Sequence, residues 1–400
     1  MTDCVLLPKA ELHSHLGGTI RRSTLASLLE ENAPSHAKLA SGPLTQRGDL
    51  SYAFEMFGLI HKALSTESAI YRCTLEAIED AERDGVRYLE LRTTPRALGL
   101  VGTAGPRLMP EAVEFACSQH PLDAPLHAYV STVVDALVAS GASHPRIAVR
   151  LLLSMDRGAL GGKVEWEAVA RVVSVWSAHV RVLGLPPFPD RPTRVVVGVD
   201  VSGHPGKGEL STLLPLLENL RRNSGSIASE ESFTSGKGSS SMAPRLHRPL
   251  GVTIHLGEIT NDKEVEEVLA WGPDRVGHMC HVPPTLVDDL LLASKFESNG
   301  AVPRSTHAPP VIELCPTSNI VTLGLESISA HPLIKTWLHS ALPLTVCTDD
   351  VGVFQSPLSS EYQLLAEAFD LGTHRVALLA RDSFRYGFAE EDELEAAARL

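Results

Sequence analysis

Short apolar runs alternate along this chain with longer stretches in which apolar residues return every three or four positions. The short runs predict strands at Glu11–His13, Val86–Arg92, Ile147–Leu153, Arg194–Val199, Val252–Leu256, Arg275–His278, Val311–Cys315 and Leu344–Thr348. Several are continuously apolar, as in Val195-Val-Val-Gly-Val199, which is how strands buried on both faces read. The longer stretches predict helices over Glu67–Arg83, Val164–Leu183, Leu210–Arg222, Asp262–Trp271, Pro284–Asn299 and Pro357–Leu371. In the fifth strand and the helix after it, the period changes from continuous to helical, with Val265, Val268 and Leu269 on one face. Strands and helices in alternation over one chain predict a single (β/α)8 TIM barrel across residues 1–400. The structural alternative, a doubly wound open sheet, calls for a G-x-G-x-x-G turn after the first strand; His13-Ser-His-Leu-Gly-Gly18 does not supply one.

Four segments read as insertions: Ser118–Pro125, Leu185–Thr193, Asn223–Arg248 and Asn299–Pro310. The stretch 223–248 holds eight serines and has no apolar period, which predicts a flexible loop. Placed before strands, such segments fall on the bottom of a barrel, away from the chemistry at the C-terminal strand ends.

Composition narrows the function. Hydrophobic residues are 44% and charged residues 21%, an ordinary globular balance. The net charge of −13 disfavours a nucleic-acid partner, whose phosphates need clustered cations. No uncharged apolar run approaches the roughly 18 residues of a membrane span, and the N-terminus lacks a secretory pattern. Six scattered cysteines without a C-x-x-C pair predict reduced thiols. A cytoplasmic, monomeric protein acting on a small molecule is expected, with no membrane partner.

Polar residues crowd the strand ends. The runs finish in His13-Ser-His15, Arg92-Thr-Thr-Pro-Arg96, Ser154-Met-Asp156, Asp200-Val-Ser-Gly203, His255-Leu-Gly-Glu258, Gly277-His278, Cys315-Pro-Thr-Ser-Asn319 and Thr348-Asp-Asp350. In a barrel these ends share one mouth. His13 and His15, two apart on a strand, face the same side. With His255 and Asp349 they make three imidazoles and one carboxylate, a donor set for a divalent transition metal, zinc above all. Glu258, three residues past His255, can reach a substrate without ligating. The adjacent acids Asp349 and Asp350 repel one another unless a cation compensates. Beyond these and His61, the remaining twelve histidines, such as His120 and His247, read as surface or incidental.

Six motifs in order, Glu11-Leu-His-Ser-His-Leu-Gly-Gly18, Asp200-Val-Ser-Gly203, His255-Leu-Gly-Glu258, Arg275-Val-Gly-His278, Glu313-Leu-Cys-Pro-Thr-Ser-Asn319 and Cys347-Thr-Asp-Asp350, resemble the adenosine/AMP deaminase family of metal-dependent hydrolases over residues 8 to about 390. The segments Phe54-Glu-Met-Phe-Gly-Leu-Ile-His61, Leu89-Glu-Leu-Arg-Thr-Thr-Pro-Arg96, Leu151-Leu-Leu-Ser-Met-Asp156 and Cys347-Thr-Asp-Asp-Val-Gly-Val-Phe354 are most similar to the branch acting on N6-methyl-AMP. The P-C-x-x-C element of the cytosine-type zinc deaminases is absent. The chain departs from its relatives at Gly17 and Val351, where the family carries Asp or Asn and Pro or Lys.

The resemblance implies one zinc ion on His13, His15, His255 and Asp349, and a product of IMP with release of methylamine. It implies that Glu258 protonates purine N1, that His278 orients the attacking oxygen, and that Asp350 bonds the ring or that oxygen. Gly203 then lies against the base. His15, Gly17, His61, Thr93, Thr94, Pro95, Arg96 and Asp156 line the rest of the nucleotide, with Arg96 on the phosphate. The alternative within the fold is an adenosine or adenine deaminase releasing ammonia. A catalytically dead barrel predicts the loss of a ligand or of Glu258, and none is lost. A phosphotriesterase-like hydrolase predicts a lysine at a strand end, and none stands there.

Overall fold

The computed structural model describes residues 4–36, 42, 48–98, 108–226, 248–299 and 308–400. Most of 223–248 and of 299–310 therefore lies outside the described residues. Among the described residues ten strands are formed: β1 (Lys9–His15), β2 (Val86–Thr93), β3 (Ala148–Asp156), β4 (Arg181–Val182), β5 (Thr193–Arg194), β6 (Val196–Ser202), β7 (Gly251–Leu256), β8 (Arg275–His278), β9 (Val311–Leu314) and β10 (Leu344–Val346). Eight of them make one sheet in the order β1-β2-β3-β6-β7-β8-β9-β10, every pairing parallel. All eight predicted strands are present.

The sheet closes between its first and last strands at the top. The Asp349 N–H donates to the His13 carbonyl and the His15 N–H to the Asp349 carbonyl, both at 2.9 Å. The closure is thus made by residues just past β10, and the open-sheet alternative is excluded. Parallel pairing brings every strand's C-terminal end to this same rim.

The helices Glu67–Arg83, Asp262–Trp271 and Pro284–Asn299 stand where the apolar period puts them. The first two start at polar caps, the Thr66 hydroxyl accepting from the Ala69 N–H and the Asn261 side chain from the Glu264 N–H. Other helices escape the period. Ala124–Ser143 is buried on almost every side, so no polar face marks its turns. Consequently Ser118–Pro125 is no bottom-face insertion: it joins helix Glu111–Gln119 to helix Ala124–Ser143 within one crossover. The helix predicted over Val164–Leu183 ends at His179, where the chain turns into the antiparallel ribbon β4–β5.

The barrel interior is filled from below. Ala10, Leu12, Tyr88, Ala148, Leu152 and Val197 pack with Phe384 and Phe388 from the C-terminal segment. The guanidinium of Arg275 lies 3.6 Å from the Phe388 ring centroid. Above this plug sits a layer of buried charge. Glu313 accepts from Arg92 at 2.6 Å and from Arg275 at 2.7 Å, and Glu90 accepts from Arg275, the Tyr88 hydroxyl and the Phe388 N–H. Buried carboxylates persist only when paired in this way.

The β1–β2 register shifts between Glu11 and Ser14. Ala10 and Leu12 point into the apolar plug, and strict alternation from Leu12 would turn His13 and His15 away. The irregularity re-aims them to the rim, which is the usual work of a bulge. All six cysteines are free, and five are buried. Among the described residues no helix is long and apolar enough to cross a membrane.

Candidate active site

At the rim three imidazoles converge. His15 Nε2 lies 3.0 Å and His13 Nε2 3.1 Å from His255 Nε2, while Asp349 Oδ1 is 3.3 Å from His13 Nε2 and 3.4 Å from His15 Nε2. Each donor is oriented from behind. The His13 Nδ1–H donates to Glu313 at 2.7 Å, and His255 Nδ1 faces the Val201 carbonyl at 3.0 Å and Asp200 at 3.2 Å. Asp349 Oδ2 accepts the Ser318 hydroxyl at 2.7 Å, leaving Oδ1 on the cluster. With both Nδ1 atoms donating, the Nε2 lone pairs of His13 and His255 face one another at 3.1 Å. Two lone pairs at that distance repel unless a cation, a proton on His255 or a metal ion, lies between them, and three such nitrogens beside one carboxylate are a donor set that fits a divalent metal ion.

Among the described residues two overlapping groups of possible ligands occur. His13, His255, His278 and Asp349 bring one ligand atom each within 4.8 Å of one another, as do His15, Asp200 and His255. Burial holds His15 down at about 3. For His255 burial also opposes charge, but the Asp200 carboxylate outweighs it and holds the ring up at about 9. The same negative charge favours a cation at Nε2.

The remaining predicted groups ring this cluster. Glu258 reaches the rim at 3.9 Å from His278 Nε2, and its side chain is 16% exposed, open to the mouth. Burial, and then the adjacent Asp349 charge, push the Asp350 carboxyl well above the usual carboxylate range. Gly18 makes room for it: a Cβ there would sit 1.7 Å from Asp350 Oδ1. Gly203 has φ +107, and a Cβ on it would fall 2.1 Å from Asp156 Oδ1, so these two predicted residues are neighbours. Of the five described non-glycine residues with positive φ, His278, Met279 and Asp349 are here. Strain of that kind persists where the surroundings over-determine it.

The nucleotide-end residues gather to one side. Thr93 bonds the Tyr129 hydroxyl at 2.5 Å, and Arg96 donates to the Leu64 carbonyl at 3.1 Å with its guanidinium 5.3 Å from the Tyr129 ring centroid. Among the described residues no ion pair joins Arg96 to a carboxylate. Thr94 and Pro95 continue the rim between Thr93 and Arg96, and His61 is exposed on the last turn of helix Leu50–Ala63. Gly17 sits against that helix, where a Cβ would meet Ile60 at an ordinary 3.7 Å.

Three supporting residues were not among the predicted site set: Glu313, Asp200 and Ser318. Glu313 and Asp200 carry a readable signal, a lone acid inside an otherwise apolar strand. Two histidines taken as incidental are interior. His127 accepts the Trp176 indole N–H at 3.1 Å, and His331 is buried behind His278.

The sequence model of the adenosine deaminase family matches residues 8–182 and 229–398. The N6-mAMP deaminase of Arabidopsis thaliana is 31% identical over 392 residues, covering 96% of this chain and 94% of the relative. The N6-Methyl-AMP deaminase of Homo sapiens is 28% identical over 389 residues, covering 96% and 90%. The crystal structure of Arabidopsis ADAL complexed with IMP superposes with a TM-score of 0.71 at 29% identity, covering 99% of this chain and 96% of that one.

Proposed function

Because the chain belongs to the adenosine deaminase family, we propose that it is a hydrolytic deaminase converting N6-methyl-AMP, or a related N6-substituted purine nucleotide, to IMP and methylamine. The observation that carries this is the convergence of His13, His15, His255 and Asp349 with Glu258 on one rim. The four donors hold one divalent ion per chain, zinc by their chemistry; when bound, it makes a nucleophile available from water near neutral pH.

The chain's own residues do the rest. Gly203, lacking a Cβ, lets the base lie against its backbone. Asp350, its carboxyl kept protonated by burial beside Asp349, donates a hydrogen bond to the ring. Glu258 delivers a proton to N1, so that oxygen adds to C6 without leaving charge on the purine. A C–O bond forms at C6 from water, whose released proton reloads Glu258; the C–N bond to methylamine then breaks as the proton of the C6 hydroxyl passes to the departing amine, leaving a C6 carbonyl and the proton on N1. Thr93, Thr94, Pro95, His61 and Asp156 frame the nucleotide, and the fork of Arg96, held by the Leu64 carbonyl and without an ion-paired carboxylate among the described residues, meets the phosphate. Binding a phosphate this way leaves polar groups unmatched when a nucleoside enters, which selects for the nucleotide. A cytoplasmic monomer without nucleic-acid or membrane partners agrees with the net charge of −13.

The test is a parallel assay of zinc-loaded protein on N6-methyl-AMP, AMP, adenosine and N6-methyladenosine, reading purine product and released amine. IMP with equimolar methylamine, from the methylated nucleotide far above the others, is expected. Inosine from adenosine as the main product would replace this reading with a nucleoside deaminase.

A further inference from the structure

Behind His278 runs a line of three buried side chains. His331 Nδ1 accepts the backbone N–H groups of Leu333 at 3.1 Å and Ile334 at 3.0 Å, at the start of helix Ile334–His339. A ring nitrogen that accepts carries no proton, so a neutral His331 has its single proton on Nε2. Burial keeps that ring neutral, holding it down at about 4.

The next link is Asn319, fully buried. Its Nδ2 lies 3.3 Å from His331 Nε2 and its Oδ1 3.0 Å from His278 Nδ1. That orientation sets two N–H donors face to face at His331. The ends of an amide have the same shape, and only their partners tell them apart. The His331 Nε2–H requires the oxygen, which turns the amide over and points its NH2 at His278 Nδ1. His278 Nδ1 then accepts, and a neutral His278 carries its proton on Nε2. The Nε2 atom is buried, meets no hydrogen-bond partner among the described residues, and faces Glu258 at 3.9 Å across the site.

We infer that Asn319 and His331 are positioning residues that hold His278 as its Nε2–H tautomer, so that His278 donates a hydrogen bond into the site and neither ligates the ion nor acts as a base. This removes His278 from the first of the two overlapping donor groups. A protonated Nε2 cannot ligate, so His278 drops out and His15 completes the set with His13, His255 and Asp349. The kinetic consequence rests on the deaminase reading; the tautomer does not.

The test begins without turnover. Long-range proton–nitrogen correlation spectra of the zinc-loaded full chain, labelled with ¹⁵N-histidine, identify each tautomer, and His278→Gln assigns the signal. A protonated Nε2 on His278 is expected; a protonated Nδ1 with bare Nε2 overturns the inference. His331→Asn is the second arm. Its short amide can still cap the Leu333 and Ile334 N–H groups but does not reach Asn319. We expect kcat to fall about 10–100-fold with KM little changed, the scale typical of lost outer-shell partners. An unchanged kcat would reduce His331 to a helix cap and contradict the relay. Asn319→Asp, which accepts from both rings, should convert the His278 signal to the Nδ1–H form; an unaltered Nε2–H signal would contradict the relay. Absence of turnover on every purine in the unsubstituted protein would sink the deaminase reading while leaving the tautomer result to stand or fall by its spectrum.

Discussion

Two polar layers lie one above the other inside this barrel, and they are satisfied in opposite ways. In the lower layer the carboxylates are saturated: Glu313 meets Arg92, Arg275, Thr253 and His13, and Glu90 meets Arg275, Tyr88 and the Phe388 N–H. In the upper layer the Nε2 atoms of His13 and His255 face each other at 3.1 Å, Asp350 presses on Asp349, and His278 Nε2 has no hydrogen-bond partner among the described residues. The lower layer is a finished structure; the upper one is complete only with a ligand. Hydrogen bonds join them, for Glu313 pairs with Arg275 on one side and orients His13 on the other. The lesson is that this site is held rigid by charge neutralisation beneath it, a stiff second layer on which precise ligand geometry depends.

Substitutions in the two layers should therefore fail differently. The largest effect is expected at the rim: Glu258→Gln should lower kcat by about 10²–10⁴-fold while metal content and melting temperature hold. Near-normal turnover would remove Glu258 as the proton donor. Arg275→Met strikes the lower layer instead, leaving Glu90 and Glu313 short of a counter-charge. It should cost about 3–5 kcal/mol of stability in chemical denaturation, as breaking a buried pair does; full stability would break the contrast. Arg96→Ala should reduce kcat/KM for the nucleotide about tenfold and leave the nucleoside rate unchanged, the loss of one charge-assisted contact. Equal losses on both substrates would mean that Arg96 works through Tyr129 and Leu64 instead. The smallest effect belongs to removal of residues 227–247, which join the bottom-face ends of helix Leu214–Ser226 and β7. Helix Leu214–Ser226 ends and β7 begins on the face opposite the rim, so assays should find kcat/KM within about twofold.

The parts legible in the sequence are those with a local signature. Buried parallel strands announce themselves as unbroken apolar runs, and the polar residues that end them name the rim, so His13, His15, His255, Asp349, Glu258 and His278 were readable before any coordinate. The helix Ala124–Ser143 was not, because burial all round erases the 3.6-residue period. The supports were half hidden. Glu313 and Asp200 stand inside apolar runs, but nothing local says that one meets His13 and the other His255. His331 is 53 residues (331 − 278) beyond His278, and only the fold brings them to either side of Asn319. The β1 irregularity and the left-handed backbone of Asp349 are products of closure, which no short window of sequence contains.

The central claim is that strand-end donors with saturated supports hold one ion through His13, His15, His255 and Asp349. Metal content per chain, measured on the purified protein and on His15→Ala and His278→Ala after dialysis against a weak chelator, tests it most directly. One zinc per chain in the unsubstituted protein, lost in His15→Ala and kept in His278→Ala, is the predicted result. Retention in His15→Ala with loss in His278→Ala would put His278 in the coordination shell and contradict the account.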